Sequence, residues 1–100
     1  MERAKIQEIK SERFVLSEYA GTDQELNRII ETVLGTAKQE VAGSIGIGQV
    51  FKTYISPVGR IELAFDEGFG YEFWADSREL HEKISVAISG SSVFFLERRT

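Results

Sequence analysis

Cysteine is absent from this chain, so it forms no disulfide and offers no thiolate to a metal ion. Histidine occurs once, at His81, and a lone histidine among acidic residues is expected to be a solvated surface group; we predict neither a metal site nor a cofactor. No apolar run approaches the roughly 18 residues of a membrane span, and no apolar segment of a secretory signal follows the N-terminus. We therefore expect a cytoplasmic protein that does not enter a membrane.

A surplus of positive charge is also absent. The chain has 12 Lys and Arg against 16 Asp and Glu, a formal net charge of −4. The halves 1–48 and 49–100 do not differ in this respect, since each has 6 basic and 8 acidic residues. General electrostatic binding to nucleic acid requires an excess of Lys and Arg on one face, so the composition argues against a protein that coats DNA.

The clearest local pattern is an amphipathic helix predicted over residues 22–42 of a single 100-residue domain. Thr22 and Glu25 have the spacing of an N-terminal capping box, and Gly43 is expected to end the helix, with Gly35 inside it. An apolar stripe at three-and-four spacing predicts contact with a sheet, with an oligomer-forming helix as the alternative. The preceding residues, 1–21, are treated as an N-terminal arm whose structure the pattern leaves open.

From Gln49 onward the apolar residues alternate, which is typical of strands. Three strands are predicted at 50–55, 60–65 and 71–75. Leu80, Ile84 and Ile88 are compatible with one helix face, but the alternation over 83–89 favours a fourth strand, followed by a fifth over 92–98. The predicted fold class is mostly β, with the N-terminal helix followed by a five-stranded antiparallel bent sheet over 49–98. Such a sheet commonly curls into a small SH3-like barrel.

Catalytic patterns are weak, and we predict that the protein is not an enzyme. Acidic residues such as Asp66 and Asp76 follow predicted strands, where charges are usually solvated, and no nucleophile-elbow motif occurs. Aromatic residues are adjacent at 73–74 and 94–95, so the two members of each pair point to opposite faces of the sheet. An exposed aromatic residue on a strand suggests a protein interface or a platform for base stacking, and the acidic balance favours the interface.

Two short motifs in the predicted sheet indicate a possible family. Phe65-Asp66 followed by Phe69-Gly70, and the segment 88–93, resemble the two signatures of the Sm and Sm-like (LSm) family of RNA-associated ring proteins. The resemblance covers about residues 50–98. It implies a homo-oligomeric ring in which the fourth strand of one subunit pairs with the fifth strand of the next. It also implies RNA binding or a role in an RNA–protein assembly.

The resemblance implies two sets of site residues. The residues expected to contact RNA are Asp66, Phe69, Gly70, Ser89 and Gly90, and those expected at the subunit interface are Ile84, Val86, Ile88, Val93, Phe94 and Phe95. The family has asparagine at the position of Gly70 and a basic residue at that of Ser89, so side chains that contact RNA are replaced here. The alternative hypothesis is a non-enzymatic structural or protein-interaction module that binds a protein partner and no RNA.

Overall fold

A computed structural model of the chain describes residues 3–10, 12–17, 23–35, 39–44 and 48–99. Within these ranges the chain forms seven strands and two helices. In chain order they are β1 Ala4–Ile9, β2 Arg13–Leu16, α1 Asp23–Leu34, β3 Gln39–Ser44, β4 Gln49–Ser56, β5 Gly59–Asp66, β6 Gly70–Ala75, α2 Arg78–Ser89 and β7 Phe94–Arg99. Neither helix is long and apolar enough to cross a bilayer.

The strands form one mixed sheet with the order β3-β4-β5-β6-β2-β1-β7. Neighbouring strands are antiparallel except β1 and β7, which are parallel. The β1–β2 hairpin therefore lies between β6 and β7, although it begins the chain. This arrangement places the first and last strands side by side, with β7 at the edge of the sheet.

Both helices lie against one face of the sheet, which we call the covered face; the other is the open face. The strand register aligns Glu8, Phe14, Phe73 and Leu63 in a row across four strands of the covered face. All four side chains are buried. Helix residues Leu26, Ile29, Ile30, Leu34, Leu80, Ile84 and Ile88 complete the core above this face. The core is thus a single layer between the two helices and one side of the sheet.

The predicted fold class is wrong. The helix is not N-terminal, since two strands precede it, and the sheet has seven strands in a mixed arrangement rather than five antiparallel ones. Residues expected to form an arm supply β1 and β2, both inside the sheet. The strands predicted at 50–55, 60–65 and 71–75 are confirmed as β4, β5 and β6.

The helix predicted over 22–42 begins at Asp23 but ends at Leu34. Gly35 has a φ of +83°, and its N–H donates to the Glu31 carbonyl at 2.8 Å. A glycine in this left-handed conformation is a common helix terminator, so the residue expected inside the helix ends it. Residues 39–44 form the edge strand β3 instead, paired with β4. The cap residue Thr22 lies outside the described residues.

The strand predicted over 83–89 is also wrong, because this segment belongs to α2. Ser77 caps the helix by accepting a hydrogen bond from the Leu80 N–H at 3.2 Å. Leu80, Ile84 and Ile88 are all buried along one face. Val86, which the alternating interpretation placed on the same face as Ile84 and Ile88, is 71% exposed. The strand predicted over 92–98 is present as β7, which begins two residues later at Phe94 and ends at Arg99, but it pairs with the distant β1.

Candidate functional site

Three polar side chains meet inside the core, between β1 and α2. Glu8 lies on the covered face of β1, and His81 and Ser85 lie one turn apart on α2. Their exposed fractions are only 2%, 4% and 0%. Burial of ionisable groups costs free energy unless they are paired, so this group, which we call the Glu8 cluster, stands out from the apolar core around it.

The geometry of the Glu8 cluster is centred on one carboxylate oxygen. Glu8 Oε2 lies 2.7 Å from His81 Nε2 and accepts a hydrogen bond from Ser85 Oγ at 3.1 Å. On the solvent side, Arg98 Nε lies 3.8 Å from Glu8 Oε1. Ser85 donates to the carboxylate rather than to the imidazole, so the serine is not activated by the histidine. The arrangement is therefore not that of a nucleophilic triad.

Competing effects set the charge of Glu8. Burial raises the pKa of this carboxyl, but the hydrogen bonds from His81 and Ser85 and the electrostatic attraction of Arg98 and His81 outweigh it, so the pKa is lowered overall. Glu8 is consequently ionised at neutral pH and can only accept hydrogen bonds. His81 Nε2 must then carry a hydrogen. The opposite ring nitrogen, Nδ1, makes no hydrogen bond to any described residue.

The expectation that His81 is a solvated surface group is wrong. Its ring stacks on Phe14, with ring centroids 4.4 Å apart and planes inclined by 18°. One sequence signal was available: His81 and Ser85 are four residues apart, next to the apolar positions Leu80 and Ile84. On a helix, this spacing places all four side chains on one side. This helical spacing was not used, because the segment 83–89 was predicted to be a strand.

A cavity of about 310 Å³ adjoins the Glu8 cluster. Its lining residues are Glu12, Ala75, Asp76, Ser77, Arg78, His81 and Glu82. His81 is the one member that both lines this cavity and contacts Glu8. Within the described part of the chain, no group of three or more His, Asp or Glu side chains is arranged to hold a metal ion.

A second depression, of about 210 Å³, lies at the β4–β5–β6 end of the sheet and is called the open-face groove. Its lining residues are Val15, Gln49, Phe51, Ala64, Phe65, Asp66, Phe69, Gly70, Tyr71 and Glu72. Phe51 is 42% exposed and Phe69 is 79% exposed. The groove thus presents aromatic surface that no described element covers.

Three of the residues predicted to contact RNA line this groove: Asp66, Phe69 and Gly70. Asp66 accepts hydrogen bonds from the Gln49 side chain and the Gly68 N–H, both at 2.9 Å, and these lower its pKa. Gly70 has a φ of +94°, and a Cβ there would lie 2.2 Å from the Leu16 carbonyl oxygen. Glycine is therefore required here by the backbone conformation and by the close approach of β2.

The other two predicted RNA contacts, Ser89 and Gly90, lie at the C-terminal end of α2 and do not line the groove. The structure does not bring the five residues into one site. RNA binding by this set stays a prediction.

The residues predicted at a subunit interface differ in how deeply they are buried. Ile84, Ile88 and Phe94 are fully buried in the core of the chain. Val93 is partly buried against the core, whereas Val86 and Phe95 are exposed. Strand pairing through 83–89 is not available, since these residues are helical.

Comparisons of the chain with protein-family models, with curated proteins and with solved structures found no match.

Proposed function

We propose that this protein is a non-enzymatic interaction module that binds a segment of another protein in its open-face groove. The observation that carries the proposal is the exposure of two phenylalanine side chains, Phe51 and Phe69, at one concave site. Exposed apolar surface of this kind, rimmed by polar residues, is a common mark of protein interfaces. Aromatic residues are enriched in such interfaces.

The groove is not required for the core. Two helices already cover the opposite face, and the largest fully buried side chains, including Phe14, Phe73 and Tyr54, all lie there. Phe51 faces away from that core, since its register neighbours are Gly43 and Ala64 on the open face. The small side chains beside Phe51 leave space next to its ring. One large apolar side chain from a partner would occupy this space.

The charge at the rim indicates the chemistry of the partner. Asp66 and Glu72 are acidic, and the lowered pKa of Asp66 keeps it ionised at neutral pH. Glu72 contacts Arg13 at 3.3 Å, but both side chains are about half exposed, so the pair remains open to a competing cation. We infer that the partner segment places a Lys or Arg next to its apolar anchor.

The alternative is the RNA-associated ring role implied by the resemblance to Sm-like proteins. That role relies on pairing through a fourth strand at 83–89, a segment that is helical here. An acidic rim also repels phosphate groups. The proposal therefore rests on the protein-interaction hypothesis, and RNA binding becomes an outcome of its test.

The first experiment replaces Phe69 with the photo-crosslinking residue benzoylphenylalanine and exposes the protein to extract of its own cells. The matched control places the same residue at Val86, which is similarly exposed but lies on α2. We expect a protein to be captured at position 69 and not at position 86, and mass spectrometry to place the link in an apolar segment containing Lys or Arg.

The second experiment measures binding of that segment, as a synthetic peptide, by calorimetry. Phe51→Ser should weaken the affinity at least about tenfold if Phe51 is an anchor of the interface. Val58→Ser, which removes a similarly exposed apolar side chain outside the groove, should have no such effect. The proposal is wrong if position 69 captures RNA or only a second copy of this chain, or if Phe51→Ser binds the peptide like the wild type.

A further inference from the structure

The two edges of the sheet differ in how they are protected against pairing with another chain. β7 forms one edge and β3 the other. β7 ends with three consecutive charged residues, Glu97, Arg98 and Arg99, and charges on an edge strand oppose the addition of a further strand. β3 contains one charged residue, Glu40, no lysine and no proline, and it pairs with β4 without a bulge. β3 is therefore the edge that is more open to another strand.

Among the described strands, β3 pairs with β4 alone. Its residues 40–43 are exposed, and none of them belongs to the buried core. Val41 is 56% exposed on the open face. In an antiparallel pair, the backbone groups of a strand point alternately towards and away from its neighbour, so about half of those of β3 point away from β4. A strand added on that side would pair these groups and cover Val41.

The charges beside β3 favour a second copy of this chain as the added strand. On the covered face, Glu40 Oε1 lies 3.8 Å from Lys52 Nζ of β4, and Lys52 lies opposite Ala42 in the strand register. The side chains of Glu40 and Lys52 are 41% and 32% exposed, so each charge can also meet a charge from another molecule. This edge thus presents an acidic and a basic group side by side. Two identical edges of this kind can attract each other.

One register brings these charges together. In a two-fold antiparallel pair of β3 strands, directly opposite residues share a face, so one residue lies on the axis and opposite itself. An axis at Glu40 places two carboxylates directly opposite each other, which is unfavourable. An axis at Ala42 places the two Lys52 side chains in one row, with only the alanines between them. An axis at Val41 places Glu40 opposite Ala42 of the second copy, whose other neighbour is Lys52.

The distances suit the register centred on Val41. Neighbouring strands are about 4.8 Å apart, so the backbones at Lys52 and at Glu40 of the other copy are separated by about 10 Å. Between them lies only the methyl group of Ala42, which an extended lysine side chain can pass. On the open face the two Val41 side chains are directly opposite, and their contact removes both from water.

We propose that β3 pairs antiparallel with β3 of a second copy of this chain, about a two-fold axis at Val41, so that the two sheets become continuous. Glu40 of each copy then contacts Lys52 of the other, and the axis forms this contact twice. One short strand from each copy makes an interface smaller than the standard size of about 1,600 Å². The dimer is therefore weak and dissociates on dilution. It differs from the ring implied by the sequence, which requires a strand at 83–89.

The first measurement is the solution mass of the full chain by analytical ultracentrifugation, at concentrations up to about 1 mM. We expect a monomer of 11.3 kDa at low concentration and twice that mass at high concentration. Val41→Lys places two like charges at the axis and should raise the dissociation constant at least about tenfold. Val86→Lys makes the same change at a side chain of α2 that is 71% exposed, and should leave the dissociation constant unchanged.

Single-cysteine variants test the register, since the chain has no cysteine. Directly opposite residues have Cα atoms about 4.5–5.5 Å apart, which suits a disulfide. Val41→Cys should therefore give a disulfide-linked dimer when the protein is oxidised with glutathione disulfide. Gly43→Cys is the matched control on the same strand and face, where a Cβ would meet no described atom within 4 Å. Across the proposed axis its two copies lie about 13 Å apart along the strands, too far to be linked.

A mixing experiment separates attraction between copies from attraction within one chain. Glu40→Lys leaves two positive groups at the edge and Lys52→Glu leaves two negative ones, so each variant alone should remain a monomer where the wild type is a dimer. A mixture of the two should form a heterodimer, because one of its contacts is the original Lys52–Glu40 pair and the other is that pair reversed. The repulsion within each chain is the same in both situations. Labelling one variant with ¹⁵N lets native mass spectrometry identify the heterodimer.

Any of four results would overturn the proposal. A mass that stays at 11.3 kDa up to about 1 mM would show that the edges do not pair. A Val41→Lys dimer as tight as the wild type would place the interface elsewhere. Cross-linking of Gly43→Cys as readily as Val41→Cys, or a mixture of charge variants that stays monomeric, would exclude the register. No residue of β3 lines the open-face groove, so this inference and the proposed function can fail independently.

Discussion

On its covered face the sheet buries Phe14 and Phe73 completely beneath the helices, whereas on its open face Phe51 remains 42% exposed. Both faces belong to the same seven strands and both carry aromatic residues. They differ in the layer above them, since α1 and α2 lie on only one side. Exposure, and not residue type, therefore separates the aromatic side chains that stabilise this fold from those available to a partner.

The ionic contacts differ between the faces in the same way. Glu8 and His81 are in contact in the core at 2.7 Å, with side chains 2% and 5% exposed. Arg13 and Glu72 are in contact on the open face at 3.3 Å, with side chains 49% and 42% exposed. Water screens the second pair and not the first. Removal of one partner should therefore have very different consequences on the two faces.

The largest expected difference concerns the aromatic residues. Phe73→Ala should lower the free energy of unfolding by about 3–5 kcal/mol, because it leaves a cavity between the sheet and the helices. Phe51→Ala should lower it by less than about 1 kcal/mol, since much of that ring already contacts water. Urea denaturation followed by circular dichroism measures both. If Phe73→Ala does not fold, Phe73→Leu gives a smaller loss in the same direction. Equal losses for both alanine variants would contradict the assignment of the two faces.

The buried and exposed ionic contacts provide the next comparison. Glu8→Ala should cost about 3 kcal/mol at neutral pH, because His81 and Ser85 lose their buried acceptor. Glu72→Ala should cost at most about 1 kcal/mol. Both values come from urea denaturation under the same conditions. A loss for Glu72→Ala as large as that for Glu8→Ala would show that burial does not distinguish the two pairs.

The effect of Glu8→Ala has a pH signature that separates it from a simple loss of packing. Since folding lowers the pKa of Glu8 below its usual value of 4.5, its charge stabilises the folded protein at neutral pH. This contribution disappears as the pH falls below that value. Glu25 and Asp66 also have lowered pKa values, so the wild type must be compared with the variant. The difference between them should shrink on acidification; a constant difference would assign the loss to packing alone.

The smallest effect is expected at Tyr54, where the covered face meets β4. Its hydroxyl donates to Asn27 Oδ1 at 3.0 Å, and burial, with the charges of Glu40 and Glu31, raises its pKa to about 12. The unfolded chain releases this proton near pH 10, so the stability contributed by Tyr54 is present below pH 10 and is lost as the pH rises towards 12.

Tyr54→Phe tests this directly. At neutral pH the variant should lose about 1 kcal/mol with its hydrogen bond. Above pH 10 the wild type should lose stability relative to the variant, and ultraviolet absorbance should show one of the three tyrosines ionising late. If all the tyrosines ionise together near pH 10, Tyr54 is not buried as described.

The parts of the fold that could be predicted from the sequence depend on short-range patterns. The strands at β4, β5 and β6 follow from alternation and short turns, and each pairs with the next along the chain. The start of α1 follows from its apolar stripe. Its end could not be predicted, since Gly35 is compatible with a helix interior and with a left-handed terminator. The apolar residues of segment 83–89 are compatible with both the helical and the strand period. Only the burial of Ile84 and Ile88 together with the exposure of Val86 identifies the helix.

The candidate site residues also separate into those that a short-range pattern indicates and those that depend on distant segments. Asp66, Phe69 and Gly70 were identified from a local motif, and the structure places them in one groove. The reason that Gly70 is glycine was not visible, since it depends on the carbonyl of Leu16 in another strand. The contact between Glu8 and His81 was missed altogether. Its partners are 73 residues apart, and nothing near either one indicates the other.

By itself the sequence determined the absence of disulfides, the acidic balance and the strands joined by short turns, because these depend on composition or on neighbouring residues. Only the tertiary structure decided that β1 lies beside β7, that Glu8 and His81 share a buried hydrogen bond and that one face of the sheet remains open. The physical reason is that burial and strand order arise from contacts between distant segments. The same alternating strand can face a helix or water, and its local pattern does not say which.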